Sequence, residues 1–323
     1  MVFQPDRSDR SAEKVTDSWP WSTENGPDSD DQGKMKDRRK ESLTMRAVSS
    51  FLSISSILIC LAAASSDAMS ENAPWRKVDD GLFLGQFDPP YETPVKDSKI
   101  LILKIKPRYY SFKLLCASEL GKIRLTPREW CKKYNLIAAI NAGMYQKDGL
   151  TNVGYMKNYS HLNNPRLNSV YKAVLAFNRL EVSVPEIQII DLKCQDFETL
   201  RTKYQTFVQG IRMISCNQEN VWSKQDKRWS LAVLGVDKEG SVLFILSETP
   251  YSGYDFNNVL LSLPLSIFNG TYLEGGPEAS LYFSAAGMEL EKAGIYGTGL
   301  NGSVVRSGAY PIPNVIGITK KPN

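Results

Sequence analysis

The run Trp229-Ser-Leu-Ala-Val-Leu-Gly-Val-Asp237, Lys238-Glu-Gly240, Ser241-Val-Leu-Phe-Ile-Leu-Ser247 limits the fold of this chain more than any other stretch. Two apolar segments flank an Asp-Lys-Glu-Gly turn, the pattern of a β-hairpin. A hairpin this apolar cannot stand alone in water and calls for a sheet around it.

Further strands are expected on both sides. Trp75 to Asp88 reads as an opening strand with a glycine turn. Ile100–Lys106 and Ser111–Ala117, divided by Pro107-Arg-Tyr-Tyr110, read as adjacent strands, at least one buried on both faces. Leu136–Ile140, Val174–Phe177, Ile187–Asp191 and Val315–Thr319 follow. Thr126-Pro-Arg-Glu129 is a capping box with proline at the first helical position, opening a helix to about Tyr134. Asp196 is expected to cap a short helix through Tyr204. Asp255 is expected to cap another, with Phe256, Val259, Leu260 and Leu263 on one face. There is no internal repeat. The expected fold class is α+β: a single domain with a mixed, largely antiparallel β-sheet core flanked by a few helices.

The N-terminal part is of another kind. Residues 1–44 are polar and charged without apolar periodicity, as in a disordered leader. Met45-Arg46, the apolar run Ala47–Ala64 and Ser65-Ser-Asp-Ala68 form a signal peptide over 45–68, with small residues before a cut after Ala64 or Ala68. The run is short and serine-rich for a membrane anchor. A signal peptide normally begins a chain, so translation is expected at Met35 or Met45. Residues 1–44 are then a gene-model artefact; a genuine long n-region is the alternative. Ile59 is too large to precede a lipidated Cys60. The expected product is a domain over 69–323, periplasmic or extracellular, with no stable membrane span after cleavage.

Beyond residue 68 the chain keeps 30 Lys+Arg against 24 Asp+Glu and no dense basic run, which argues for anionic ligands and against duplex nucleic acid. Beyond the signal peptide stand Cys116, Cys131, Cys194 and Cys216. Three pairings are possible; Cys116–Cys131 and Cys194–Cys216 are favoured because each closes a short loop. His161 is the single histidine, and no CxxC occurs, so a histidine-rich metal centre is excluded and no cofactor is expected.

Four apolar strands end in Gly, Asn, Arg or Glu: Asn141-Ala-Gly143, Gln209-Gly-Ile-Arg212, Arg228 to Gly235, and Leu273-Glu-Gly-Gly276. The last lies within Thr271–Phe283, two apolar runs around a glycine-proline turn that carries Glu274 and Glu278. Arginine grips phosphate through paired bonds, and asparagine suits sugar hydroxyls. Glu274 and Glu248 are the carboxylates available for acid, base or nucleophilic work. Each residue also has a plain structural reading: Arg228 in a surface ion pair, Asn141 in a left-handed turn, Glu274 bonded to turn amides, Glu248 and Glu278 as structural carboxylates. The segment Asn141–Asn168 is long, polar and aromatic, as a loop lining a sugar site would be, and Arg166 in it adds a cation. His161 reads as an exposed loop residue rather than an acid. The sequons at Asn158, Asn269 and Asn301 matter only in a eukaryotic secretory route.

In their order, these motifs resemble the phosphodiester glycosidase family over roughly Leu101–Thr319. Its Asn-Gly-Gly-Phe turn is similar to Asn141-Ala-Gly-Met144. Its Arg-Thr-Ala-Ile-Gly strand and Asp-Gly hairpin are similar to Arg228–Gly235 and Asp237–Gly240. Its Leu-Asp-Gly-Gly-Gly-Ser signature is similar to Leu273-Glu-Gly-Gly-Pro-Glu-Ala-Ser280. The family's aspartate is Glu274 here, its third glycine Pro277, and Ala142 precedes Gly143, which fits a bacterial-type subfamily. The resemblance implies hydrolysis of a sugar-1-phosphodiester to free sugar and a phosphomonoester. Carried onto these positions, Arg212 and Arg228 grip the phosphate and Glu274 acts as base or nucleophile. Asn141, Gly143, Arg166, Gly275, Gly276, Glu278 and Ser280 bind the substrate, a phosphate-linked carbohydrate. The alternatives are a non-catalytic carbohydrate-binding protein on the same fold and an envelope assembly factor, which would need an exposed apolar patch.

Overall fold

In the computed structural model the described residues are 74–90, 99–295 and 308–322. The leader, the signal peptide, Cys60 and the Asn301 sequon lie outside them. Strands β1 (Trp75–Asp79) and β2 (Leu82–Phe87) form the opening hairpin, and β3 (Ile100–Ile105) continues it. After Pro107 the chain leaves for β4 (Tyr110–Cys116). Helix α1 (Pro127–Tyr134) starts at its expected capping box, with Thr126 and Glu129 bonded in both directions. β5 (Ala138–Asn141), the hairpin β6 (Met156–Asn158) and β7 (His161–Asn164), then β8 (Ala173–Arg179) and β9 (Ile187–Asp191) follow. A single turn, α2 (Phe197–Leu200), leads into the long β10 (Tyr204–Ile214). β11 (Trp229–Asp237) and β12 (Val242–Tyr251) are the expected apolar hairpin. Then come α3 (Gly253–Ser262), β13 (Ile267–Gly275), β14 (Ser280–Ala285), β15 (Met288–Ala293) and β16 (Asn314–Lys320).

These strands build two sheets. The larger runs β1-β2-β3-β12-β11-β13-β10-β6-β7, with β8 on β10 and β9 on β8; the smaller runs β15-β14-β5-β16-β4. Their inner faces share one core. Leu101, Leu103, Ala232, Leu234, Phe244 and Leu246 from the larger sheet meet Leu114, Ile140, Leu281, Phe283, Ile316 and Ile318 from the smaller. Helix α1 lays Trp130 and Cys131 on the outer face of the small sheet, against Ala139, Tyr282 and Val315.

Several expectations change. The fold is mainly β, not clearly α+β. Among the described residues each strand pair is antiparallel, so the sheets are not mixed. β3 and β4 do not pair: Pro107 lacks the N–H to continue a ladder, and the chain crosses there from one sheet to the other. The α2 helix stops at Leu200, and Tyr204 already belongs to β10. The cap of α3 is Ser252, whose hydroxyl accepts from the Asp255 N–H; Asp255 sits in the first turn. Cys194 and Cys216 form a disulfide, as expected, but Cys116 and Cys131 are free and buried. They face different layers, Cys116 the core between the sheets and Cys131 the outer face under α1. No described helix is long and apolar enough to cross a membrane.

Candidate active site

The chain passes from the larger sheet to the smaller at the turn after β13, through Gly275, a short 3₁₀ turn at Gly276–Glu278, and into β14 at Ser280. Glu274 is the last side chain of β13 before this crossing and is only 4% exposed. On the β11 side, Ala232 pairs with Glu274 but Val233 pairs with Tyr272, so Leu273 is an extra residue and the strand bulges immediately before the carboxylate. Such bulges re-aim a side chain at the end of a ladder. One oxygen of Glu274 accepts from the Gly275 N–H at 3.0 Å, which is the turn-amide bond of its plain reading.

Asn141 fixes the turn. It ends β5 in the smaller sheet and is buried, and its amide is used at both ends. Nδ2 donates to the Glu278 carbonyl at 2.9 Å, and Oδ1 accepts from the Ser280 N–H at 2.8 Å. Its backbone is in the strand, not the left-handed region. Ser280 adds a hydroxyl bond to the Glu278 carbonyl at 3.1 Å. Gly276, at φ +66°, supplies the turn's left-handed step, and a Cβ there would touch only Glu278 Oε2 at 3.9 Å. Gly143 has φ +102°, and a Cβ there would stand 2.6 Å from Asn152 Oδ1. Both conditions demand glycine and keep the 141–152 loop against the sheet.

Tyrosines complete the surroundings. Tyr145 follows the β5 turn, half-buried. Burial, then the charges of Glu278 and Glu274, pushes its hydroxyl up to about 12, against a hydrogen bond from Arg124. Burial and then the Glu274 charge also raise Tyr171. Tyr272 lies fully buried, raised well above the ordinary phenol range by burial first and Glu274 next. Both carboxylates therefore lie within electrostatic reach of Tyr145, and all three phenols stay neutral donors at physiological pH.

Tyr171 is held there by Gln209 of β10. This buried amide accepts from the Tyr155 and Asn168 N–H groups at 2.9 and 2.8 Å and donates to the Asn168 and Tyr171 carbonyls at 2.8 and 2.7 Å. With all four of its bonds made, Gln209 pins the loop 155–171 to the sheet. Arg166 is on that loop, exposed, and in no ion pair among the described residues.

The other two arginines are engaged elsewhere. Arg212 pairs with buried Asp191 at 2.8 Å, and Asp191 also accepts from the Cys216 N–H, tying β10 to the disulfide loop. Arg228 is exposed and pairs with Asp255 of α3 at 3.5 Å. Glu248 is buried and paired with Lys292 at 2.9 Å. Of the sequence candidates, the fold thus gathers Asn141, Gly143, Glu274, Gly275, Gly276, Glu278 and Ser280 at one crossing. Tyr145, Tyr171, Arg124 and Asn152 were not singled out from the sequence, and Gln209 only as the first residue of its stretch. A glutamine inside an apolar strand and a tyrosine just past the Asn141 turn were the available signals. The Asn269 sequon is buried with its amide on the Ile189 carbonyl, and Asn158 donates to Glu119.

The domain is thus two antiparallel sheets, with Glu274 and Glu278 on the glycine turn that crosses between them. The chain belongs to the phosphodiester glycosidase family, whose profile matches residues 134–319, from the end of α1 to β16. No curated protein matches the sequence. Among solved structures, a hypothetical protein from Synechocystis is similar at 12% identity and TM-score 0.52, over 78% of this chain; the chain covers 64% of that protein's length. The catalytic domain of zebrafish N-acetylglucosamine-1-phosphodiester alpha-N-acetylglucosaminidase, auto-inhibited by its pro-peptide, is similar at 14% identity and TM-score 0.50, over 74% of this chain and 82% of that one. At these identities the likeness is one of fold.

Proposed function

We propose that the chain is an exported hydrolase that cleaves a sugar-1-phosphodiester with Glu274 as its working carboxylate. The observation that carries this is the placement of Glu274: buried, behind a bulge, at a turn stapled by Asn141, among phenols that stay protonated. In the reaction the C1–O bond to phosphate breaks and a water oxygen bonds to C1. Glu274 takes the water's proton, and the phosphate leaves as a monoester. That leaving group is a weakly basic anion, so the site needs hydrogen-bond donors around it more than a strong acid. Tyr145 and Arg124 supply them, with Arg166 on the Gln209-pinned loop as a further cation. Asn141 positions the turn rather than the sugar, because both ends of its amide are taken. Arg212 serves the scaffold through Asp191. Arg228 can reach a phosphate only by leaving Asp255, a step that an exposed 3.5 Å pair permits at small cost. The disulfide suits an oxidising compartment, periplasmic or extracellular, for a domain over 69–323 behind a cleaved signal peptide.

The engagement of Arg212 and Arg228 favours the alternative, a carbohydrate-binding protein without turnover. Two measurements on the same glycosyl phosphodiesters separate the readings: free-sugar release and binding by calorimetry. Release that is lost in Glu274→Gln supports the hydrolase. Binding that survives without release from any member of the panel supports the alternative.

A further inference from the structure

A second cluster of reactive side chains lies away from Glu274, where the end of β4 passes the β6–β7 hairpin. Cys116, Glu119 and His161 each place one ligand atom within 4.8 Å of the other two. Cys116 is a free thiol in the core, His161 is half-buried and Glu119 is exposed, so the group leads from the core to solvent. Met156 Sδ lies 3.7 Å from Cys116 Sγ. The chain's single histidine therefore stands beside a free thiol, although the two are far apart in sequence.

We propose that Cys116, His161 and Glu119 form a zinc-binding site that clips the small sheet to the β6–β7 hairpin of the larger one. Sulfur, imidazole nitrogen and carboxylate oxygen are the donors Zn²⁺ takes, and three protein ligands leave a fourth position for water. A thiolate and a carboxylate together match the charge of a divalent ion. Among the described residues no lysine or arginine pairs with Glu119 to compete for it. Tetrahedral zinc bonds set ligand atoms roughly 3.5 Å apart, so closing the group from within 4.8 Å asks only small side-chain shifts. Partners that orient the ligands are already in place. Asn158 Nδ2 donates to a Glu119 oxygen at 2.9 Å. Ser118 Oγ stands 2.9 Å from His161 Nε2 and accepts from Asn163 at 2.8 Å. With zinc on Nδ1, the Nε2–H donates to Ser118, the outer bond that fixes a metal-bound imidazole. Binding releases the Cys116 proton to solvent, and no electron is exchanged. The other cluster of this kind among the described residues, Asp191 with Cys194 and Cys216, offers no thiolate because its sulfurs are joined.

The test uses the full chain, stripped with chelator and titrated with Zn²⁺, Co²⁺ and Cu⁺ in separate arms. Native mass spectrometry is expected to show one zinc per chain, thermal melting to rise with zinc, and Co²⁺ to give a sulfur-to-metal charge-transfer band. His161→Gln and Glu119→Gln change side chains outside the core and should each weaken zinc binding about tenfold or more, with the metal-free melting temperature kept. Cys116→Ser should remove the cobalt band. No zinc bound and no shift in melting would overturn the site. So would zinc binding unchanged in both His161→Gln and Glu119→Gln, or binding confined to Cu⁺.

Discussion

Asn141 and Ser280, 139 residues apart, are joined by an N–H···Oδ1 bond of 2.8 Å, and through it the end of β5 holds the turn that presents Glu274. The same amide takes the Glu278 carbonyl at 2.9 Å. One side chain in the smaller sheet thereby fixes where the larger sheet delivers its carboxylate.

Removing that amide orphans the buried Ser280 N–H and leaves the Glu278 carbonyl with the Ser280 hydroxyl alone. Asn141→Ala is expected to cost about 1–3 kcal/mol, the cost of one orphaned buried group. Asn141→Asp keeps the acceptor for Ser280 but buries a carboxylate oxygen against the Glu278 carbonyl, so it should lose more than Asn141→Ala at neutral pH. Urea unfolding of the three proteins checks the order; equal stability of all three would refute the staple.

Gly143→Ala combines a positive φ with a Cβ set 2.6 Å from Asn152 Oδ1. A loss of more than about 1 kcal/mol is expected. The same substitution at Gly240, where φ is +80° but nothing lies near, should cost less.

The Tyr145 phenol has a pH signature. Its hydroxyl is raised from the ordinary value near 10 to about 12 by burial and by Glu278 and Glu274. A raised folded value favours the protonated form in the fold. This stabilisation is present in full below about pH 10 and is lost as pH climbs through about 12. Phenolate absorbance should show one late-titrating tyrosine fewer in Tyr145→Phe; loss of a tyrosine that titrates near 10 instead would place Tyr145 in solvent.

Thiol counting separates the cysteines. The unfolded chain beyond the signal peptide should show Cys116 and Cys131 reactive, and reduction should add Cys194 and Cys216. Cys194→Ser with Cys216→Ser should cost about 2–4 kcal/mol through loss of loop closure. A Cys116–Cys131 peptide in a non-reducing digest would contradict the layer assignment.

Much of the frame was legible in the sequence. The 229–247 hairpin, the Thr126 capping box and the β13–turn–β14 stretch form where local patterning places them, because each rests on short-range chemistry. What the sequence hid was long-range. β3 and β4 look like neighbours but serve different sheets, and Cys116 and Cys131 sit close in sequence on opposite faces of one sheet. Of β10 only the strand end at Gln209–Arg212 stood out, because Gly210 and several polar side chains break its apolar pattern. Pairing with β6, β8 and β13 makes it a strand. The site divides in the same way. Glu274, Asn141 and the glycines stand at strand ends and announce themselves. Tyr171 feels the charge of Glu274, while Gln209 from distant β10 holds its backbone carbonyl. The arginines were legible as cations but not as partners, since Asp191 and Asp255 come to them from other elements.

The most direct test of Glu274 is sugar release from an N-acetylglucosamine-1-phosphodiester by the native protein and by Glu274→Gln, with melting followed for both. The expected result is turnover by the native protein and a kcat about a hundredfold to ten-thousandfold lower in the variant, at an unchanged melting temperature. A well-folded Glu274→Gln protein that turns over substrate at the native rate would contradict the assignment of Glu274 as the working carboxylate.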